Sequence, residues 1–142
     1  MQKQNFENHA RLVTGFHRIA LPLNLLIVIG SFVNLFGSAS ENLYSASLIC
    51  ALSILVMLLA WYIRTFPLKA QDRAIRAEEG LRQFILTGKP LPRGLRLSQI
   101  IALRFASDEE FPELAERAVR ENMGNKSIKK AVRNWREDHD RV

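Results

Sequence analysis

The sequence lacks the residues and motifs from which most catalytic sites are built. Cys50 is the only cysteine in 142 residues, which excludes a disulfide within the chain and a zinc site that needs two cysteines. There is no glycine-rich phosphate loop, no Gly-x-Ser-x-Gly and no His-Glu-x-x-His. We therefore predict no catalytic residue, no metal site and no cofactor, and a protein that is not an enzyme.

Positive charge is also absent from a long stretch of the chain. No lysine or arginine lies between Ile19 and Ile63, and Glu41 is the only charged residue there. All 20 lysines and arginines therefore lie outside this stretch, although the net charge of the whole chain is +6. This segregation predicts a membrane anchor joined to a small water-soluble domain.

Two apolar runs, residues 19–37 and 44–63, form the charge-poor stretch. As helices each would be about 30 Å long, which matches the hydrocarbon core of a bilayer. Because the connection between them is short, we predict an antiparallel transmembrane helix hairpin. A cleavable secretory signal ending at Ser38-Ala39-Ser40 is the alternative, but it would leave a second apolar run directly after the cut.

The predicted fold is all-α, and its boundaries follow the changes in composition. The hairpin is followed by a helical extension and a small three-helix bundle. The predicted segments are an N-terminal interfacial segment (1–18), the hairpin (19–63), a juxtamembrane helix (64–88), a linker (89–94) and a cytoplasmic helical domain (95–142).

Basic residues flank both apolar runs and are missing from their connection. Since lysine and arginine stay on the cytoplasmic side, we predict that both termini are cytoplasmic. Such residues also contact anionic lipid headgroups, and aromatic residues mark the interface. The candidates for headgroup contact are Arg18, Trp61, Arg64, Lys69, Arg73 and Arg76.

Small and polar residues recur at spacings of three and four along both runs. Small side chains let membrane helices approach closely, and polar ones bond across the contact. We predict that this stripe packs the hairpin; the alternative is contact with another membrane subunit. Its members are Asn24, Ser31 and Asn34 on the first helix, and Ala46, Cys50, Ser53 and Ala60 on the second.

The charged part reads as four helical segments. Residues 64–87 continue the second span, with a possible kink at Pro67, an i,i+4 pair of Glu78 with Arg82, and an apolar patch near the end. The patch consists of Leu81, Phe84 and Ile85. Glycines and prolines in residues 88–94 indicate a linker.

Three short helices are predicted after the linker. The first covers residues 97–105. The second begins with a capping box of Ser107 and Glu110, or at Asp108 because proline follows. The third places four apolar residues at i, i+3, i+4 and i+7. These residues are Ile128, Ala131, Val132 and Trp135.

The last predicted helix starts with lysines and ends with Glu137, Asp138 and Asp140, which is the reverse of what the helix dipole favours. We therefore hypothesise that a basic surface binds a partner, while the acidic end docks on Arg93, Arg96, Arg104 or the basic juxtamembrane face. A solvated surface of mixed charge is the alternative. The partner-binding candidates are Arg117, Arg120, Lys126, Lys129, Lys130 and Trp135.

Four stretches resemble a family of small bacterial membrane proteins of unknown function. They are QNFENH (4–9), QDRAIRAEE (71–79), ALRFASDEE (102–110) and IKKAVRNWREDHDRV (128–142). The resemblance implies two spans and a helical cytoplasmic tail, and it transfers no catalytic residue. Pro67 departs from the ordinary helix former expected at that position.

Together these features predict a non-enzymatic protein of the bacterial inner membrane. We expect an accessory or scaffold subunit that binds another membrane protein or forms a homo-oligomer, with anionic lipid around it. One alternative is a membrane-tethered nucleic-acid binder, which is less favoured because much of the positive charge has a membrane explanation. The other is a homo-oligomeric pore or transporter element lined by Asn24, Ser31 and Asn34.

Overall fold

The computed structural model describes residues 4–8 and 13–138, and its regular elements are all helices. The all-α prediction is therefore confirmed. The α-helices are α1 (Leu21–Gly37), α2 (Leu43–Thr87), α3 (Leu97–Leu103), α4 (Phe111–Arg120) and α5 (Asn125–Ala131). The chain divides into two compact units, the apolar unit Leu12–Pro67 and the charged unit, which is Leu68–Val142 together with Met1–Arg11.

The first apolar helix begins earlier than the sequence predicts. A π-helical turn, Gly15–Ala20, leads without a break into α1. The N–H of Leu21 bonds to the carbonyl of Phe16, five residues back, so the helix is wider just before Pro22. Because proline has no N–H and its ring crowds the preceding turn, this wider turn accommodates it. Pro22 thus lies inside a continuous helical segment.

In the apolar unit, α1 and α2 meet at a pair of serines. The hydroxyl oxygens of Ser31 and Ser53 are 3.0 Å apart, and both side chains are buried. Ala46 and Cys50 are buried on the same side of α2. The connection between the helices is tight, since the N–H of Asn42 bonds to the carbonyl of Ala39.

The helix α2 continues well past the apolar run, as predicted. It includes Pro67 and ends at Thr87. The stop is a glycine in the left-handed conformation, Gly88, with φ of 68° and an N–H bonded to the carbonyl of Phe84. This geometry is common at helix C-termini because glycine adopts positive φ without a steric penalty.

The core of the charged unit is formed by α3, α4 and α5, as predicted for a three-helix bundle. The helix α3 packs against both α4 and α5. Its buried Gln99 donates to the carbonyls of Ala118 and Met123, which ties α3 to the end of α4. The apolar core consists of Ala102, Leu103, Ala106, Phe111, Leu114, Ala115, Ala118, Ile128 and Val132.

The start of α4 differs from both predictions. The helix begins at Phe111, so neither Ser107 nor Asp108 is its N-cap. The reason is a competing contact of Glu110. Its carboxylate accepts hydrogen bonds from the backbone N–H groups of Arg133 and Asn134, at 3.0 and 2.6 Å. The N–H of Ser107, which a capping box would direct to the Glu110 carboxylate, instead bonds to the carbonyl of Asn134 at 3.1 Å.

The last helix is much shorter than predicted. It ends at Ala131, and Val132 is extended. Trp135 instead forms an isolated antiparallel bridge with Ala106, and the N–H of Arg136 bonds to the carbonyl of Phe105. These long-range backbone bonds replace the helical ones, so Trp135 does not extend the apolar face of α5. Glu137 and Asp138 consequently do not lie at a helix end, and Asp140 lies outside the described residues.

Candidate interaction surfaces

Arg82 joins α2 to the bundle of the charged unit. Its guanidinium donates to the carboxylates of Asp108 and Glu79 and to the carbonyl of Ala106, at 2.7, 2.9 and 2.7 Å. The same group lies over the ring of Phe111, 4.5 Å from its centroid. Arg82 is only 9% exposed and Glu79 only 5%. Through these contacts of the buried Arg82, the second half of α2 supports the bundle.

The partner of Arg82 differs from the one that we predicted. The structure pairs it with Glu79 at i,i+3 rather than with Glu78 at i,i+4. Glu79 also lies 3.9 Å from Arg136. Ile75, Glu79, Arg82 and Gln83 are all buried, so they define the face of α2 that packs within the charged unit.

The opposite face of the same helix segment is exposed and apolar. The exposed fractions of Leu81, Phe84 and Ile85 are 61%, 57% and 72%. At 3.6 residues per turn, these side chains lie across the helix from the buried face. Three exposed alanines continue the row. We call this surface the outer face of α2; it consists of Ala70, Ala74, Ala77, Leu81, Phe84 and Ile85.

Part of the predicted basic surface is already engaged within the chain. Arg117 and Arg120 both lie near the carboxylate of Glu121, at 3.3 and 3.5 Å. Lys130 is exposed and lies 5.6 Å from the ring centroid of Phe6. Lys126 is exposed at the start of α5. The predicted basic residues therefore do not form one uncompensated patch.

The remaining partner-binding candidates pack against Phe105. Trp135 is half-buried with its ring 4.9 Å from that of Phe105. Lys129, also half-buried, lies 5.5 Å from the Phe105 centroid, and Arg104 lies 4.6 Å from it. Phe105 itself is fully buried. Lys129 and Trp135 thus cover the core; the spacing of apolar residues indicated packing for Trp135 but not for Lys129.

Charge pairs hold the segment after α5 in place. The carboxylate of Asp138 lies 3.0 Å from the guanidinium of the buried Arg104, as expected for acidic residues docking on that arginine.

At the exposed Glu109, a hydrogen bond from the Ser107 side chain is the main cause that lowers the carboxyl pKa from its ordinary value of 4.5. Glu109 is therefore ionised at neutral pH.

An N-terminal segment contacts the end of the charged unit. The side chain of Gln4 donates to the carbonyl of Asp138 at 3.3 Å and accepts from the N–H of Asp138 at 2.8 Å. No sequence pattern pointed to this pairing, since the two residues are separated by nearly the whole chain. Together with the contact of Phe6 and Lys130, it places residues 4–8 beside the C-terminal segment.

The predicted headgroup residues fall in both units. Arg18 lies in the π-helical turn, and Trp61 and Arg64 lie on α2 in the apolar unit. The exposed fraction of Trp61 is 68%, whereas Arg64 is half-buried. Lys69, Arg73 and Arg76 are exposed on α2 in the charged unit.

The predicted packing stripe is buried to different degrees along its length. Beside the buried Ser31, Ala46, Cys50 and Ser53, Ala60 and Asn24 are half-buried. Asn34, near the end of α1, is exposed. The side-chain oxygen of Asn24 is buried and accepts no hydrogen bond from any described residue.

Two helical segments, Gly15–Gly37 and Leu43–Thr87, are long and apolar enough to cross a membrane. The large side chains of α1 and of the first half of α2 mostly point outward; Ile19, Leu26, Phe36, Leu52 and Ile63 are examples. Within residues 4–8 and 13–138, no group of three or more His, Cys, Asp or Glu side chains is placed to hold a metal ion.

One protein family matches the whole chain. Residues 1–142 match DUF6526, which is described as a family of unknown function. The chain belongs to this family. The predicted resemblance to a family of unknown function is thereby confirmed. No curated protein and no solved structure matches the chain. Because membership of DUF6526 assigns no activity, the surfaces of the two units are what indicates function.

Proposed function

We propose that this DUF6526 protein is a non-enzymatic integral membrane protein that acts as an accessory or scaffold subunit of a membrane assembly. In this proposal α1 and the first half of α2 form an antiparallel transmembrane hairpin. The outer face of α2 is the surface through which the charged unit binds protein.

The outer face is the observation that carries the proposal. It presents three large apolar side chains outside the apolar runs, on a helix whose opposite face is already packed. Burial of one such side chain contributes about 1.5–3 kcal/mol, so their joint exposure to water is unfavourable unless a partner covers them. Arg82 and its contacts hold this helix segment against the bundle, which makes the outer face a pre-organised surface.

The proposed location is the bacterial inner membrane with both termini in the cytoplasm. The lysines and arginines on both flanks of the apolar runs support this orientation. The pairing of Gln4 with Asp138 independently supports placing both residues on the same side of the membrane, because residues in contact lie on one side. An even number of spans, as in a hairpin, meets this requirement.

Contacts within the two units argue against the two alternative functions, a nucleic-acid binder and a pore. A nucleic-acid binder needs several unpaired basic side chains on one surface, but Arg117 and Arg120 pair with Glu121 and Lys129 covers Phe105. A pore lined by Asn24, Ser31 and Asn34 requires all three on one wet face. Ser31 instead contacts Ser53.

Purification of the tagged full chain in gentle detergent at moderate salt tests the proposal. We expect it to run as a stoichiometric assembly larger than one chain. The variant Leu81→Gln with Ile85→Gln should lose that assembly, whereas Glu116→Gln, exposed on α4, should keep it. A wild-type protein that runs as a single chain with lipid and detergent alone would contradict the proposal.

A further inference from the structure

We infer that the outer face of α2 binds the outer face of a second copy of this chain, with the two α2 segments parallel. This inference rests on the proposed function, in which the outer face binds protein, and it names the partner. Two features of the outer face support it. Its apolar residues form a row along the helix, which we call the seam. Charges of opposite sign flank the seam at the spacing that a parallel helix pair requires.

The apolar residues of the outer face follow a seven-residue repeat. Ala70, Ala74, Ala77, Leu81 and Phe84 are separated by steps of four, three, four and three. This is the spacing of the a and d positions through which two helices pack side by side. The alanines allow the helix axes to approach closely, and Leu81 and Phe84 supply the large apolar surface to be buried.

The charges beside the seam fit a parallel pair of identical helices. With Ala74 and Leu81 at a positions, Arg73 takes a g position and Glu78 takes the following e position. In a parallel pair, a g residue lies beside the e residue five positions later on the partner, and such pairs set orientation. We therefore expect two symmetric contacts, each between Arg73 of one copy and Glu78 of the other. Both residues are exposed. An antiparallel pair centred on Ala77 would instead bring Glu78 towards Glu78 of the other copy.

The next pair of flanking positions is also complementary. Ile85 takes the following e position, and the g position five residues before it is Gly80. Gly80 has no side chain, and Cδ1 of Leu91 in the same copy lies 3.8 Å from where its Cβ would be, so the Ile85 side chain of the other copy meets an apolar surface there. Ile85 has the largest exposed fraction of the three large residues, 72%, so it gains most from being covered.

A short seam can suffice because both copies lie in one membrane. Residues 70–85 make only about two heptads, and isolated helices of this length associate weakly in water. Chains anchored in the same bilayer have a high effective concentration and share one orientation. Because the two copies share one orientation in the bilayer, their α2 segments can pair in parallel.

Disulfide cross-linking of the full chain in native membranes tests the pairing. In a Cys50→Ala background, we would compare Ala74→Cys, Ala77→Cys and Leu81→Cys with Arg76→Cys, which is exposed on the same helix outside the outer face. A parallel seam brings each seam cysteine within about 7 Å of its own copy, as a disulfide requires. We expect all three to form dimers at least about tenfold faster than Arg76→Cys. Equal rates at all four positions would overturn the inference, and so would cross-linking at Ala77→Cys alone, which indicates an antiparallel pair.

Charge reversal tests the register. Arg73→Glu and Glu78→Arg each replace two attractive contacts by repulsive ones, and the double variant restores attraction. In the Leu81→Cys background we expect each single reversal to slow dimer formation by about fivefold, and the double reversal to recover it. Absence of recovery would contradict the parallel register.

The two proposals fail in different ways. Suppose that the seam cysteines do not cross-link, while purification recovers a different membrane protein that Leu81→Gln with Ile85→Gln releases. The inference of a second copy is then wrong, and the proposed function stands. A single chain in both experiments would overturn both.

Discussion

Arg82 on α2 donates a 2.7 Å hydrogen bond to Asp108, 26 residues further along the chain. The contact lies between the second half of α2 and the segment between α3 and α4. Because the guanidinium also binds Glu79 on α2 and the carbonyl of Ala106 in the same segment as Asp108, one side chain joins α2 to the segment between α3 and α4. The outer face is thereby held on a helix that cannot rotate independently of the bundle.

Arg82→Ala should loosen the bundle of the charged unit. The substitution leaves the buried Glu79 with only the distant Arg136, and an uncompensated buried charge costs about 3 kcal/mol or more. We expect amide hydrogens in α3–α5 to exchange about 100-fold faster in the full chain in detergent micelles. Asp108→Asn is the control, because Asp108 is 61% exposed and its pairing contributes only about 0.5–1 kcal/mol. Similar exchange in both variants would contradict the assigned role of Arg82.

Glu110→Ala should release the segment that follows α5. The carboxylate accepts from two backbone N–H groups, and hydrogen bonds to charged groups contribute about 1.5–3 kcal/mol. We expect faster exchange at the amides of Arg133 and Asn134 and a loss of about 2 kcal/mol in unfolding free energy. Glu113→Ala, exposed in the first turn of α4, should stay within about 0.5 kcal/mol of wild type. Unchanged exchange at both amides would be inconsistent with the contact.

Cys50→Leu should destabilise the contact of α1 with α2. Cys50 is 5% exposed beside the pair of serines, and overpacking a tight site costs about 1–3 kcal/mol. Ser53→Ala should cost only about 0.6 kcal/mol, because the Ser31 hydroxyl keeps its 2.7 Å bond to the carbonyl of Val28. Unfolding of the full chain in mixed micelles measures both. Leu52→Val, which faces outward, is the control, and a smaller effect of Cys50→Leu than of this control would refute the packing.

Removal of apolar side chains from the outer face should leave the fold intact. Leu81 and Ile85 are mostly exposed, so Leu81→Gln with Ile85→Gln should change the unfolding free energy of the charged unit by less than about 1 kcal/mol. Exchange of the α3–α5 amides is again the measurement. An effect as large as that of Arg82→Ala would mean that these residues support the bundle and do not serve binding.

Periodicity and composition predicted the helices well. The apolar runs, the continuation of α2 to Thr87 and the stop at Gly88 all follow from local properties of the chain. The end of α5 does not, because Val132 to Arg136 leave the helix for contacts with Phe105, Ala106 and Glu110. Periodicity cannot show that a distant carboxylate and carbonyl compete for these amides.

The candidate surfaces were predicted less completely than the helices. Leu81, Phe84 and Ile85 were recognisable as an apolar patch, but only the burial of Ile75, Glu79 and Arg82 shows which face of α2 is left exposed. The contact of Lys129 with Phe105 joins different elements and has no local signal, whereas the i,i+4 spacing of Arg117 and Glu121 was readable from the sequence and was not used. The contact of Gln4 with Asp138 joins the two ends of the chain and has no local signal.

The membrane hairpin is the claim on which the proposed function depends, and cysteine labelling tests it directly. In a Cys50→Ala background, Glu41→Cys lies in the connection between α1 and α2, and Ser127→Cys lies exposed on α5. A maleimide that does not cross membranes should label Glu41→Cys in intact cells, and Ser127→Cys only after the cells are permeabilised. Labelling of Ser127→Cys in intact cells, or of neither position before permeabilisation, would contradict the account.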